Sequence, residues 1–567
     1  MLNIEQVITN KYPAFQQRAP LVRHSTLSLL RGLIHENEIN RFLDQYQGLQ
    51  GFEFLDKVLE YFNFSYRISH QDRSNIPATG RVVIVSNHPL GSLDGLALLQ
   101  MVGSVRRDVR IVANDLLGHL TPLQSLFLPI DNMANQGHKR SIQRIVQSLM
   151  RDEAVIVFPA GEVSRASFTG IKDGKWQSGF LLFARKANAP ILPVHVQGKN
   201  SMLFYGLSMA YKPFSTLMLA NEMFKQRNKV LSVKVGKPIP FQQIDQLPVN
   251  NNTKAKMLKK HIYRLGRNGK PLFVTENTIA HPQDRQALKK ELVEAECLGS
   301  TQDGKRIYLF SYRPDSIVMK EIGRLRELAF RQVGEGTGQR LDVDKYDRYY
   351  RHLILWDEEA LEIAGAYRLG EVARIAEQGQ EIYSAELFRY RPDMQPFFEQ
   401  GIELGRSFVQ PRYWGRRSLD YLWQGIGAYL KCHPEIRYLF GPVSLSNSYP
   451  AAAKYLLVTF YRLYFPDRDH LAIANAPFVI PEADQRLLDT VFVGNDYDTD
   501  FAELKERLAH YGVTVPTLYK QYSEVCEPGG VRFLDFGVDP DFGYCVDGLV
   551  LVDLHRLTVK KRERYLG

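Results

Sequence analysis

The apolar run Val82-Val83-Ile84-Val85 leads straight into Ser-Asn-His-Pro-Leu-Gly-Ser-Leu-Asp-Gly. This places His88 and Asp94 on either side of one turn and the start of a helix. An aspartate in that position fixes the tautomer of the imidazole. It thereby orients His88 as a general base, with the other ring nitrogen left for a hydroxyl proton. Pro89 and Gly91 shape the turn, and backbone N–H groups at the helix start can stabilise an oxyanion. No serine or cysteine nucleophile is needed if a hydroxyl attacks an activated acyl group directly. Alone, the pair is equally a hydrogen-bonded turn.

A second buried run, Ala154–Phe158, continues as Pro159-Ala160-Gly161-Glu162-Val163-Ser164-Arg165. Lys172-Asp173-Gly174-Lys175-Trp176 and the proline-flanked Ala189–Val196 follow. This ordered set resembles the glycerolipid acyltransferase family, typified by 1-acyl-glycerol-3-phosphate acyltransferases. The resemblance covers about residues 75–240 and implies direct acyl transfer from an acyl carrier protein or coenzyme A thioester to a lipid hydroxyl. Asn87, His88 and Asp94 match the catalytic block, His88 and Asp94 as the catalytic pair and Asn87 on the substrate side. Pro122–Ile130, ahead of Asp131, stands where the family's variable second block falls. Gly161 keeps the glycine of the family's Phe-Pro-Glu-Gly, whereas Ala160 replaces its glutamate. That block holds the acceptor's glycerol phosphate, so the acceptor here is expected to differ. Arg165 is the expected clamp for its phosphate or carboxylate.

In the second half, Glu403-Leu-Gly-Arg-Ser-Phe-Val409 reads as a strand. Gln410-Pro-Arg-Tyr-Trp-Gly-Arg-Arg417 follows as a basic turn entering a helix. Strand, glycine-containing turn and helix suit a phosphate or phosphopantetheine, although an ordinary turn looks the same. With Arg326–Arg331, Gly334–Gly338, Asp342–Asp347 and Tyr367-Arg368, residues 300–550 look like the GNAT-type acyltransferases that use acyl carrier protein, including autoinducer synthases and ornithine N-acyltransferases. The resemblance implies attack of an amine on a thioester. Glu403 is the candidate base, Arg406 an anchor for donor or acceptor, and Asp342 and Asp344 the holders of a cationic amino-acid acceptor. The loop of the acetyl-transferring relatives is absent, which points to a long-chain donor.

Elements must position these groups. Residues 1–75 carry a narrow apolar stripe (Leu30, Leu33, Ile34, Ile39, Phe42, Leu43, Tyr46) and read as a helical N-terminal segment. Strands at Val82–Val85, Val109–Ala113, Ala154–Phe158 and Ile191–Val196 alternate with helices at Asp94–Val102, Gly137–Met150 and Trp176–Asn188. That alternation predicts an α/β domain over 76–275. Residues 300–567 predict a second, GNAT-like α/β domain. Its strands are expected at Arg306–Ser311, Leu361–Leu369, Ile382–Tyr390, Gly401–Val409, Tyr438–Gly441, Val531–Phe536 and Gly548–Asp553. Its helices are expected at Ile317–Arg331, Arg416–Cys432 and Tyr449–Tyr464.

Charge is unevenly shared. Residues 1–280 hold 35 Lys and Arg against 19 Asp and Glu, and the remainder 37 against 43. The basic half suits an anionic membrane surface, and the amphipathic stretch 251–270, with seven basic residues and no acid, suits either an interfacial or an ordinary surface helix. Nucleic acid is not expected, because no stacking module accompanies the charge. There is no secretory signal and no run of about 18 apolar residues, so a cytoplasmic protein peripheral to the inner face of the membrane is expected. The four cysteines lack metal-site spacing, so no metal is expected, nor any bound cofactor beyond the acyl carrier protein or coenzyme A thioester as co-substrate.

Together the halves describe a bifunctional enzyme of aminolipid synthesis. The C-terminal domain would N-acylate ornithine, or a similar small amino acid, with a 3-hydroxyacyl thioester. The N-terminal domain would then O-acylate that lyso-lipid. The rival readings are a lysophosphatidate acyltransferase with a non-catalytic C-terminal domain, and a membrane-binding or lytic protein.

Overall fold

The computed structural model describes Glu5 and residues 20–91, 93–114, 120–130, 135–167, 170–210 and 212–567. Asp131 lies outside them. The chain divides into two compact α/β units, Met1–Ala280 and His281–Gly567.

Among the described residues, nine strands form in the first unit: β1 (Ser65–Arg67), β2 (Val82–Ser86), β3 (Val109–Asn114), β4 (Phe127–Ile130), β5 (Ala154–Val157), β6 (Arg165–Ser167), β7 (Gly170–Lys172), β8 (Ile191–Gln197) and β9 (Val230–Val235). Seven make one sheet in the order β1-β9-β8-β2-β5-β3-β4, and only the β8–β9 pair is antiparallel. The central strand β2 shows why its sequence is a continuous apolar run. Val82 and Ile84 enter one core with Leu98 and Leu99, whereas Val83 and Val85 enter another with Phe180 and Ala184. A strand buried on both faces has no polar alternation. Each of these side chains contributes about 1.5–3 kcal/mol by its burial.

The helix Leu93–Gly103 covers the first face, joined by Phe54, Leu55 and Leu59 of the N-terminal helices. The helix Asn251–Leu265 covers the other. Its Ala255, Leu258 and Ile262 are fully buried in the second core. Of the two readings of 251–270, the surface helix is the one found: its apolar side is spent on its own domain, and Asn251, Asn252, Lys256 and Lys260 are exposed. Among the described residues no helix is long and apolar enough to cross a membrane.

The second unit has β10 (Glu296–Ser300), β11 (Arg306–Ser311), β12 (Arg351–Asp357), β13 (Glu362–Glu371), β14 (Phe388–Tyr390), β15 (Gly401–Val409), β16 (Tyr438–Leu445), β17 (Ala472–Ala474), β18 (Val531–Asp539) and β19 (Cys545–Asp553). Eight form a sheet in the order β10-β11-β12-β13-β15-β16-β19-β18, antiparallel except at β15–β16. Helices Ile317–Val333 and Ser418–Cys432 pack their apolar residues into different cores of this unit. The strand expected over Ile382–Tyr390 is corrected: it shrinks to Phe388–Tyr390, behind a 3-10 turn at Tyr383–Glu386.

Candidate functional site

In the first unit, the end of β2 delivers the turn His88–Gly91 and then the helix that begins at Leu93. Asp94, in the first turn of that helix, has no exposed surface. Its Oδ2 lies 3.0 Å from His88 Nδ1 and accepts from Leu90 N at 2.9 Å, while Oδ1 accepts from Gly95 N at 3.0 Å. These donors and the nearby imidazole outweigh burial and hold the Asp94 carboxyl below its ordinary range. The ionised carboxylate therefore accepts from Nδ1–H, and Nε2 keeps the lone pair. Burial pulls the His88 pKa down, but Asp94 and Asp173 together push it up by more, leaving it above the ordinary histidine value. The ring stacks on Phe158, with centroids 3.9 Å apart. Gly91 has φ +88°, and a Cβ there would meet Leu219 at 3.0 Å and Val163 at 3.3 Å, so the turn needs glycine.

Asn87, expected on the substrate side, is corrected to a positioning role. Its side-chain amide donates to Val196 O and accepts from Val196 N, both at 2.8 Å, and the residue is 3% exposed. The side chain extends the β2–β8 pairing by one step and locks the strand end that carries His88. Asn87→Ala strands a buried N–H and C=O, and we expect it to destabilise the first unit by about 2–4 kcal/mol, measurable as a lowered urea midpoint.

Asp173, to which the sequence alone gives no role, occupies the same assembly. Its Oδ1 accepts from His88 N at 3.2 Å and from Ser164 Oγ, and its Oδ2 accepts from Trp176 Nε1 at 2.9 Å. One buried carboxylate thus ties three loops together around His88. Gly161 sits at φ +64° in the Phe158–Gly161 turn, with no atom within 4 Å of where a Cβ would stand. Arg165 is 16% exposed in its side chain and pairs through Nε with Glu162 at 3.1 Å. His88, the Phe158–Gly161 turn and Arg165 thereby stand near one another beyond the strand ends, the customary ligand position of such sheets.

In the second unit the decisive feature is a split in the sheet. The β15–β16 ladder runs only over Gly401–Glu403 against Tyr438–Phe440. At Gly441 a Cβ would stand 2.1 Å from Leu404 O, and beyond this crossing the strands part. Strand β15 carries a bulge, with the register against β13 shifting between Ala366 and Arg368 and Arg406 at φ +46°. The resulting cleft, of about 90 Å³, is lined by Leu404–Ser407 on one side and Pro442–Ser444 on the other. Arg406 lines it, its guanidinium 4.8 Å from the ring of Phe542 and 5.0 Å from that of Tyr383.

Glu403 is not in this cleft, and its assignment as base is corrected. It is 1% exposed and accepts from Tyr350 Oη, from Tyr383 N at 3.1 Å and from Ser384 N at 2.8 Å. A carboxylate so occupied pins the 382–384 loop. Asp344 and Asp342 are corrected too. Asp344 accepts from Arg368 Nη1 at 2.7 and 2.8 Å and caps the 3-10 turn at Lys345. Asp342 faces Arg406 at 3.7 Å, burial raising its pKa against that arginine's pull. Both belong to a buried lattice with Arg326, Arg368 and Asp347, none of the last three exposed. His352 lies beside them, lowered by burial to about 4 and therefore neutral. The acidic pair thus faces internal arginines rather than an open site, although Asp342 Oδ2 keeps no hydrogen-bond partner.

Comparison with known proteins decides the family. Residues 6–269 match the family described as Acyltransferase, and residues 325–424 the Acetyltransferase (GNAT) domain. A glycine N(alpha)-acyltransferase of Phocaeicola vulgatus is 31% identical over 303 residues, covering 51% of this chain and 92% of that protein. The chain is an acyltransferase with a GNAT domain. A lyso-glycine lipid O-acyltransferase of the same organism is 32% identical over 273 residues, covering 47% of this chain and 95% of that protein. An L-ornithine N(alpha)-acyltransferase of Brucella abortus is 32% identical over 178 residues, covering 25% of this chain and 61% of that protein.

Within the acyltransferase domain, the resemblance located the His88 turn from its own residues. Asp173 carried no such signal, because its tie to the His88 backbone spans 85 residues of chain. In the GNAT domain the bulge at Arg406 was invisible to a strand read by simple alternation.

Proposed function

We propose that this acyltransferase makes a two-chain aminolipid. The GNAT domain joins a 3-hydroxyacyl group from a thioester to the amino group of a small α-amino acid. The acyltransferase domain then esterifies the new 3-hydroxyl with a second acyl group. The observation that carries the reading is the union in one chain of the two kinds of domain. Curated relatives that each span about half its length are named as an amino-acid N-acyltransferase and a lyso-lipid O-acyltransferase. Glycine stands ahead of ornithine as acceptor: the glycine enzyme aligns over more of the chain, and the cleft is small.

In the O-acyl step, His88 Nε2 takes the proton of the attacking hydroxyl, Asp94 stabilises the imidazolium, and the oxygen attacks the thioester carbonyl. Arg165 meets the lyso-lipid carboxylate, which accords with Ala160 standing where a glycerol-phosphate enzyme carries glutamate. Because His88 acts only when neutral, the rate of O-acyl transfer should fall as pH drops through a midpoint above the ordinary histidine value. Asp94→Asn should lower that midpoint, as read from the pH profile of kcat/KM. In the GNAT domain, the exposed Arg416 and Arg417 ahead of the helix Ser418–Cys432 suit the phosphate of a carrier-bound donor. We take the donor to be an acyl carrier protein thioester, with coenzyme A as the alternative, and the enzyme to work peripherally on the inner face of an anionic membrane.

Acceptor preference tests the reading. Purified enzyme offered N-(3-hydroxyacyl)glycine, N-(3-hydroxyacyl)ornithine and lysophosphatidate should esterify an amino-acid conjugate first. Ester formation on lysophosphatidate alone would sink it.

A further inference from the structure

With Glu403 buried under the 382–384 loop, the cleft between β15 and β16 still contains two carboxylates. Asp547, on β19, is 3% exposed and lines it. Its carboxylate meets neutral donors, the Ser444 hydroxyl and the weak Cys545 thiol, the latter 3.6 Å from Oδ1. Glu335 follows the helix Ile317–Val333, where Gly334 at φ +81° turns the chain, and lines the same cleft half-buried. The turn at Gly543 closes on it, since a Cβ there would stand 2.5 Å from Gly334 O. Neither carboxylate is in an ion pair among the described residues. The third charged group on the wall, Arg406, makes no contact shorter than 3.6 Å with Asp342 or Asp344, and its Nε has no hydrogen-bond partner. The hydroxyl of Tyr367, a residue 1% exposed, lines the cleft without a partner of good geometry. Two acids outside any ion pair among the described residues, and an arginine held only by loose ones, form in one small cleft a complementary frame for a zwitterion.

Resting on the N-acyl-transfer reading, we propose that Asp547 and Glu335 receive the amino group of the amino-acid acceptor and take its proton, while Arg406 holds its carboxylate. The acceptor arrives as an ammonium ion. One proton passes to the carboxylates and on to water. The freed nitrogen lone pair forms the C–N bond at the thioester carbon, and the C–S bond breaks with its electrons on sulfur. A second proton moves from nitrogen to that sulfur, leaving amide and thiol. Burial first, and the like charge of Asp547 second, raise Glu335 to about 8, and burial raises Asp547 to about 6. These values suit proton exchange near neutrality. The groups electrostatically coupled to this pair are Asp539, Cys545, Tyr383, Tyr449, Tyr519 and Arg406.

The test uses the full chain with Asp547→Asn and, separately, Glu335→Gln. Formation of N-(3-hydroxyacyl)glycine and N-(3-hydroxyacyl)ornithine is followed by mass spectrometry from pH 6 to 10. Asp547→Asn should lower kcat about 100-fold at pH 7 and raise KM for the amino acid without changing KM for the thioester. The loss should shrink as pH rises and free amine accumulates. Glu335→Gln should lose about tenfold with the same pH trend, and it decides the matter alone if Asp547→Asn fails to fold by near-ultraviolet circular dichroism. Wild-type kinetics in the folded variants, or losses independent of pH, would overturn the assignment. A wild-type enzyme that acylates no amino acid defeats the N-acyl reading itself, and this proposal with it.

Discussion

His88→Ala should abolish the second acyl chain and spare the first. Expressed in a bacterium that makes no aminolipids, the variant should accumulate the one-chain N-(3-hydroxyacyl) amino acid, whereas the parent chain converts it to the two-chain lipid. The expected loss of O-acyl transfer is about 10⁴-fold, at the upper end for removal of a general base, because the neighbouring carboxylates among the described residues are already committed. Asp94 is fully buried, held by Leu90 N, Gly95 N and the imidazole, and Asp173 is committed to three loops. Alanine also removes the ring stacked on Phe158, so His88→Gln serves as a bulkier control and should be as inactive. Lipid mass spectrometry of both strains checks the result, and a two-chain product from His88→Ala would reject the base.

The second large effect is on stability. Asp347 is fully buried and accepts from Arg326 Nη1 at 2.8 Å, with Arg368 Nη1 at 3.4 Å. The two arginines hold its carboxyl well below the ordinary range against the cost of burial. Asp347→Ala leaves both guanidinium groups short of countercharge, with Arg368 retaining Asp344 and Arg326 left facing neutral His352. Breaking a buried pair from one side costs about 3–5 kcal/mol. The GNAT domain should therefore unfold at markedly lower urea. Trp356, Trp414 and Trp423 lie in this unit and Trp176 in the other, so tryptophan fluorescence chiefly follows the right one. An unchanged midpoint would show that the lattice does not stabilise the domain.

These two predictions also mark what the sequence made legible. Asn87-His88 and Asp94 lie on one turn, so a local motif contained the whole geometry, and strands such as β2 announced themselves because burial on two faces leaves no polar alternation. Long-range chemistry did not show in this way. Alternation in a regular strand over Glu403–Val409 puts Glu403, Gly405, Ser407 and Val409 on one face. The bulge at Arg406 resets that alternation, so Glu403 turns under the Tyr383 loop while Arg406 and Ser407 reach the cleft. Asp342 and Asp344 looked like an acidic loop awaiting a cation because their partners, Arg406 and Arg368, come from strands far along the chain. The amphipathic stretch at 251–270 had the composition of an interfacial helix, yet amphipathicity names an apolar face without naming what covers it. Asp547, on a late strand with no motif around it, becomes visible only when β15 and β16 part.

The measurement closest to the central claim is lipid mass spectrometry of an aminolipid-free bacterium carrying the intact chain. The account predicts a new lipid with one amide-linked 3-hydroxyacyl chain, a second acyl chain esterified to its hydroxyl, and a small amino acid as headgroup. No new aminolipid, together with restored growth of a lysophosphatidate acyltransferase mutant, would contradict it.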